Sequence, residues 1–249
     1  DARSWKTPFE DDGRTLTFEE AMTRFVDSTG RPGPASWELA APPAGQQAHP
    51  VGGISWYEAA AYAEFANKAL PTVYHWNQVA STEDELFAKI LLLSNFDNAG
   101  PTKPGERQGM APFGAFDMAG NVKEWMRNEG RDDGGRYILG GGWNEPSYRY
   151  AEIDVQDPWR REPTFGMRLV SDAGPLDARA LAPAGNLRID PASIVPVDAR
   201  EREFLARFYE YDRSPLNARV DAVETTAEWR KETITFDAAY GGERVTTYL

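Results

Sequence analysis

The stretch from Asn95 to Phe165 constrains this chain more than any other feature. Glycine and proline recur through it, aromatic residues stand singly, and no helical period survives beyond two turns. That texture predicts loops joined by short strands, around Tyr137-Ile138-Leu139 and, just beyond, Met167-Arg168-Leu169. Backbone N–H and C=O groups that leave helices and ladders must still find partners when buried. Two physical answers exist, a bound metal ion or side-chain hydrogen bonds. Hydrophobic residues make up 41% of the chain, with 8 Trp, 10 Tyr and 12 Phe, so a sizeable core can form around such loops and disorder is not expected.

Around this region the local signals are helical. Three segments carry the S/T-x-x-E pattern, in which a hydroxyl caps a helix and the glutamate reaches back. Thr17 and Glu20 predict a helix to about Asp27. Ser55 and Glu58 predict a second, with Trp56, Ala60, Ala63 and Asn67 along one face, and Thr82 and Glu85 a third, carrying Leu86, Ile90 and Leu93. Leu70-Pro71-Thr72 turns the chain before a short helix from Val73 to Ala80. Residues 171 to 194, rich in Ala, Pro, Asp and Gly, read as a linker. Beyond it, a helix within Val197 to Tyr211 has Phe204, Leu205, Phe208 and Tyr209 as its stripe. Thr233-Ile234-Thr235-Phe236, a Tyr240-Gly241-Gly242 turn and Val245 to Leu249 predict a β-hairpin. Two strands alone are marginal, so the natural polypeptide is expected to continue and supply a larger sheet.

Composition removes several functions. The net charge of -12 argues against nucleic acid and anionic membranes and suits a cationic partner or a divalent metal. There is no cysteine, which excludes disulfides, thiol nucleophiles and thiolate-held zinc or copper. His49 and His75 are too far apart in sequence to give a metal spacing, and no G-x-S-x-G nucleophile elbow occurs. No apolar run approaches the roughly 18–20 residues that span a bilayer, so any export signal or anchor is expected outside these residues. Glu10-Asp11-Asp12 and Asp132-Asp133 read as solvated faces.

Five ordered blocks carry a resemblance. They are Pro50-Val51-Gly52-Gly53-Ile54-Ser55-Trp56-Tyr57-Glu58-Ala59; Leu70-Pro71-Thr72 with Trp76; Phe113-Gly114-Ala115-Phe116-Asp117-Met118-Ala119-Gly120-Asn121-Val122-Lys123-Glu124-Trp125; Gly140-Gly141-Gly142-Trp143; and Phe165-Gly166-Met167-Arg168. Together they resemble the formylglycine-generating enzyme (sulfatase-modifying factor) family, whose third block reads FGLYDMAGNVWEW. The resemblance implies a C-type-lectin-like α+β fold over residues 1–172, loop-rich with little regular structure, whose usual opening strand is expected before Trp5. It also implies a structural calcium at Asp117, Gly120, Val122 and Glu124, with Asn121 bonding the local turn, and a second calcium at Asn95 and Phe96, near Asp97. In the active oxidases a cysteine pair after the GGS[WY] block holds copper. Glu145 and Tyr150 stand in those places, and neither replaces a soft thiolate for Cu(I). Copper, iron and the oxidase activity are therefore not expected. Glu145, Tyr148, Arg149 and Tyr150 fall at the family's substrate groove, read either as a pocket that binds a peptide or small molecule without chemistry or as ordinary surface. Trp125 and Trp143 read as core anchors, and His75 as a helix-surface or core-edge residue.

After a linker at 173–196, residues 197–249 resemble the start of a dienelactone-hydrolase-like α/β-hydrolase domain, through Tyr211-Asp212-Arg213-Ser214-Pro215-Leu216-Asn217, Trp229-Arg230-Lys231-Glu232 and the hairpin. The expected function is a non-catalytic recognition module within a larger bacterial polypeptide, with that polypeptide's other domains among its partners. The alternatives are a polypeptide whose esterase-type or Ser/Thr-kinase activity lies outside these residues, an unrecognised activity in the same groove, and a structural spacer. Family analogy points to an extracytoplasmic or periplasmic location, while the residues themselves leave the cytoplasm open.

Overall fold

Both capping boxes at Thr17 and Ser55 form. The computed structural model describes residues 2–80, 87–130, 134–185, 191–210, 213–239 and 241–249. The Thr17 hydroxyl accepts from the Glu20 N–H at 3.2 Å, and the Glu20 carboxylate accepts from the Thr17 N–H at 2.8 Å, opening helix α1, Phe18–Met22. The helix stops well short of Asp27. The buried Asp27 carboxylate accepts from the N–H groups of Thr29, Arg31 and Ala40 and from the Thr29 hydroxyl. Such local bonds compete with helix continuation. Burial opposes ionisation of Asp27, but the Ala40, Thr29 and Arg31 donors outweigh it and hold the carboxyl well below the usual range.

Ser55 and Glu58 form the same reciprocal pair at the start of α2, Trp56–Phe65. Helix α3, Val73–Ala80, follows the Leu70-Pro71-Thr72 turn as expected. Helix α4 is Phe87–Leu92, and the proposed cap at Thr82 and Glu85, with Leu86, lies outside the described residues. A two-stranded hairpin, β1 (Phe9–Asp11) with β2 (Arg14–Leu16), has no counterpart in the sequence reading.

The centre is a four-stranded sheet in the order β5-β4-β3-β6, made of β3 (Lys123–Glu129), β4 (Arg136–Leu139), β5 (Val155–Gln156) and β6 (Phe165–Gly166). β4 runs antiparallel to β3 and β5, while β6 is parallel to β3. The strand expected at Met167-Arg168-Leu169 is absent, because the ladder ends at Gly166. Side chains alternate across the sheet. Trp125 and Ile138 enter one core with Phe9, Phe25, Trp56 and Phe165. Met126, Tyr137 and Leu139 enter a second with Val73, Trp76, Met118 and Tyr150. A sheet buried on both faces needs no polar side, and each fully buried aromatic contributes about 1.5–3 kcal/mol.

Asn128, wholly buried on β3, shows how the irregular chain is held. Its Oδ1 accepts from the Val73 N–H at 2.9 Å, and its Nδ2 donates to the carbonyls of Ala180 and Ala182 at 2.8 and 3.0 Å. The Ala184 N–H donates to Glu129 O at 2.9 Å. Part of the expected linker, including helix α5 (Ala178–Leu181), thus packs on β3. Asn128→Ala strands one donor and two acceptors, so a loss of about 2–3 kcal/mol in urea unfolding is expected. A change below about 0.5 kcal/mol would contradict this reading of the loops.

Residues 1–186 form one compact unit and 187–249 a second. The second holds α6 (Ala199–Ala206), N-capped by Asp198, and an antiparallel sheet of β7 (Arg219–Thr225), β8 (Arg230–Asp237) and β9 (Arg244–Tyr248). The β8–β9 pair is the expected hairpin, and β7 extends it. Phe204, Leu205, Phe208 and Tyr209, the predicted stripe, remain exposed. Among the described residues no helix is long and apolar enough to cross a membrane.

Candidate functional site

The loop leading into β3 is wound tightly. Asp117, Gly120 and Asn121 have φ of 57°, 74° and 65°, the left-handed region. Gly120 is required twice over, since a Cβ there would lie 2.4 Å from the Asn95 carbonyl oxygen. Asn121 Oδ1 accepts from the Thr102 N–H at 2.9 Å and from Asn95 Nδ2 at 3.2 Å, and its Nδ2 donates to Thr102 O at 3.1 Å. Asn95, 1% exposed, also donates to Gly100 O and accepts from Asn98 Nδ2 at 2.9 Å. Phe96 packs at the edge of the second core. Around Asn95, side-chain amides thus partner the backbone of the loop at Gly100 and Thr102.

Asp117, Val122 and Glu124 border a concavity of about 340 Å³, with Gly105, Phe116 and Arg168. Gly120 does not line it, and its N–H donates to Gly140 O at 2.7 Å. Glu124 is buried and both its oxygens are engaged. Oε1 accepts from Arg168 Nε at 2.9 Å and pairs with Nη2 at 2.8 Å, while Oε2 accepts from Trp76 Nε1 at 2.8 Å and Arg168 Nε at 3.1 Å. Arg168 Nη2 also donates to Phe116 O at 2.9 Å and to Asp117 O at 3.4 Å. Asp117 Oδ2 accepts from the Gly105 N–H at 2.7 Å. Burial pushes both carboxyls above their usual range, with the Arg168 charge working against it. Calcium takes six to eight oxygens at about 2.3–2.6 Å. As arranged, the set does not fit it, because the Glu124 carboxylate is already filled by Arg168 and Trp76.

Glu145 and Tyr150, which the resemblance sets where the active oxidases carry thiols, both have partners. Tyr150 is 1% exposed, its ring 5.8 Å from that of Trp76, and its hydroxyl donates to Ala80 O at 2.8 Å. Desolvation, then the Glu124 charge, drives its phenol pKa upward. Glu145 Oε2 accepts from the Gly142 N–H at 2.7 Å, and its Oε1 pairs with Lys123 Nζ at 2.8 Å. Lys123 is only 2% exposed and also bonds Asp154. Arg149 approaches Glu145 and Asp154 at 3.6 Å each and pairs with Glu152. Of the four groove residues, then, Glu145 and Arg149 meet in an ionic cluster, Tyr150 joins the core, and Tyr148 is 62% exposed. His75 is exposed on α3, Trp125 is fully buried, and Trp143 is half-buried.

Lys123 is the functional residue that sequence reasoning passed over. Its signal was present: a lysine inside an apolar block where the resembled motif has tryptophan. Asp154, 31 residues away, gave none. The surface adds exposed apolar side chains, Met110, Phe113 and Phe116, with Met110 bridged to Phe116.

Comparison with known proteins follows from this geometry. The model of the sulfatase-modifying factor enzyme 1-like domain matches residues 9–173. Serine/threonine-protein kinase pkn1 of Chlamydia pneumoniae is 36% identical over 123 residues, covering 46% of this chain and 17% of the relative. The same-named protein of Chlamydia caviae is 34% identical over 90 residues, covering 34% and 14%. Pkn1 of Chlamydia trachomatis serovar L2 is 32% identical over 90 residues, covering 34% and 14%. The chain thus spans between 14% and 17% of the length of these curated relatives. A solved structure described as "Crystal Structure of CarF" aligns over 64% of this chain and 80% of its own, with 21% identity and a TM-score of 0.40.

Proposed function

The chain belongs to the sulfatase-modifying factor enzyme 1-like family, with its loop-rich, C-type-lectin-like α+β fold, and from that premise we propose that it is a non-catalytic recognition module of a longer polypeptide. The observation that carries this reading is the occupation of the two thiol positions. Glu145 anchors a buried lysine there and Tyr150 completes a core. Neither can act as a soft ligand to Cu(I), and each has a structural task that competes with any chemistry. The partial likeness to serine/threonine-protein kinases of greater length supports a place beside other domains, to which catalytic activity of the whole polypeptide would belong. Recognition has support in the exposed side chains of Met110, Phe113 and Phe116, since exposed apolar groups near one another commonly mark an interaction site.

The native product in its source cell is accordingly expected to have an intact mass well above 27.8 kDa. Hydrogen exchange across residues 110–116 is expected to be slower in that product than in the isolated chain. A product of about this chain's own mass that oxidises a cysteine-bearing peptide in air would overturn the proposal.

A further inference from the structure

We infer that Arg168 is the resident cation of the Asp117–Glu124 pocket and that the domain holds this loop without calcium. The inference stands apart from the recognition role and rests on three contacts of one guanidinium. Through Nε and Nη2 it forks onto the Glu124 carboxylate at 2.8–3.1 Å. Through Nη2 it reaches the carbonyls of Phe116 and Asp117. It thus ties the left-handed Asp117 turn to β3, the cross-link a calcium ion would otherwise make, with fixed forked geometry in place of a coordination shell. The ladder supports the placement, because Glu124 pairs with Gly166, two residues before Arg168. Trp76 Nε1 holds the remaining Glu124 oxygen at 2.8 Å.

A dication bound to Glu124 would have to displace both donors and would meet the guanidinium at contact distance. Two carboxylates and one permanent cation leave a single net negative charge, which weakens the pull on a dication.

Terbium luminescence tests this directly, since Trp76 would sensitise a lanthanide bound at Glu124. The wild-type chain is expected to show no emission that is both displaced by calcium and dependent on Asp117, and its unfolding midpoint to be the same in EGTA and in calcium chloride. Arg168→Gln is expected to gain calcium-displaceable emission and a midpoint that calcium raises. Wild-type emission that calcium displaces and Asp117→Ala abolishes would overturn the inference, as would an Arg168→Gln protein that folds yet gains no calcium response. Should Arg168→Gln fail to fold, the wild-type and Asp117→Ala pair decides alone: no Asp117-dependent emission supports the resident arginine, and its presence refutes it.

Discussion

Lys123→Met is expected to destabilise the domain by about 3–5 kcal/mol, the usual effect of removing one partner from a buried ion pair. For a unit of this size that lowers the unfolding midpoint by on the order of 10 °C. The reason is geometric. The ammonium lies between Glu145, at 2.8 Å, and Asp154, and its side chain is 3% exposed. Without it the buried Asp154 and the partly exposed Glu145 lose their shared cation, and Arg149, at 3.6 Å from each, is already shared with Glu152. Methionine restores the volume but not the charge. Changing all three, Lys123→Met with Glu145→Gln and Asp154→Asn, is expected to recover most of the loss, because no uncompensated charge then remains. A double-mutant cycle by urea denaturation reads the coupling. A single substitution costing under about 1 kcal/mol, with additive doubles, would show that the cluster is not held together by its lysine.

Tyr150→Cys is expected to cost about 4 kcal/mol, and the physical origin differs. The ring fills the second core against Trp76, and its truncation leaves a cavity whose walls relax only in part. The Ala80 carbonyl loses its donor as well. Tyr150→Phe isolates that hydroxyl and is expected to cost about 1 kcal/mol. Restoring both family thiols, Glu145→Cys with Tyr150→Cys, is therefore expected to yield a weakened protein in which Lys123 has lost Glu145, rather than a copper site. Differential scanning calorimetry of the four proteins checks the series. A Tyr150→Cys variant as stable as the parent would mean that the residue is not a packing element.

The contrast between what was legible and what was not follows sequence distance. Capping at Thr17 and Ser55 depends on residues three apart, and both boxes form. The helix from Val73 sits where Pro71 and Thr72 place it. Helix α1 ends at Met22 rather than near Asp27, and the Asp27 carboxylate gathers a loop up to Ala40 through partners that no local pattern announces. The strand expected around Arg168 failed for a similar reason. Its alternation is right, but the guanidinium turns to Glu124, 44 residues earlier in the chain. Likewise the Lys123–Asp154 contact spans a hairpin and a loop, and only the spelling of one block hinted at the lysine. The family, carried by contiguous blocks, was legible throughout. The partners of Glu124, Glu145 and Tyr150 were not, because each is set by a fold whose loops bring distant residues together.

Copper transfer tests the central claim most directly: that Glu145 and Tyr150, which the resemblance sets at the oxidases' thiol positions, serve charge balance and packing. The purified chain would be titrated, without oxygen, into a solution of Cu(I) bound to a chromophoric chelator. The expected result is an unchanged chelator spectrum at stoichiometric protein, with the same outcome for Tyr150→Phe and Glu145→Gln. Withdrawal of one Cu(I) per chain, lost on either substitution, would contradict the account, because it would place a metal ligand where the structure has an ion pair and a buried ring.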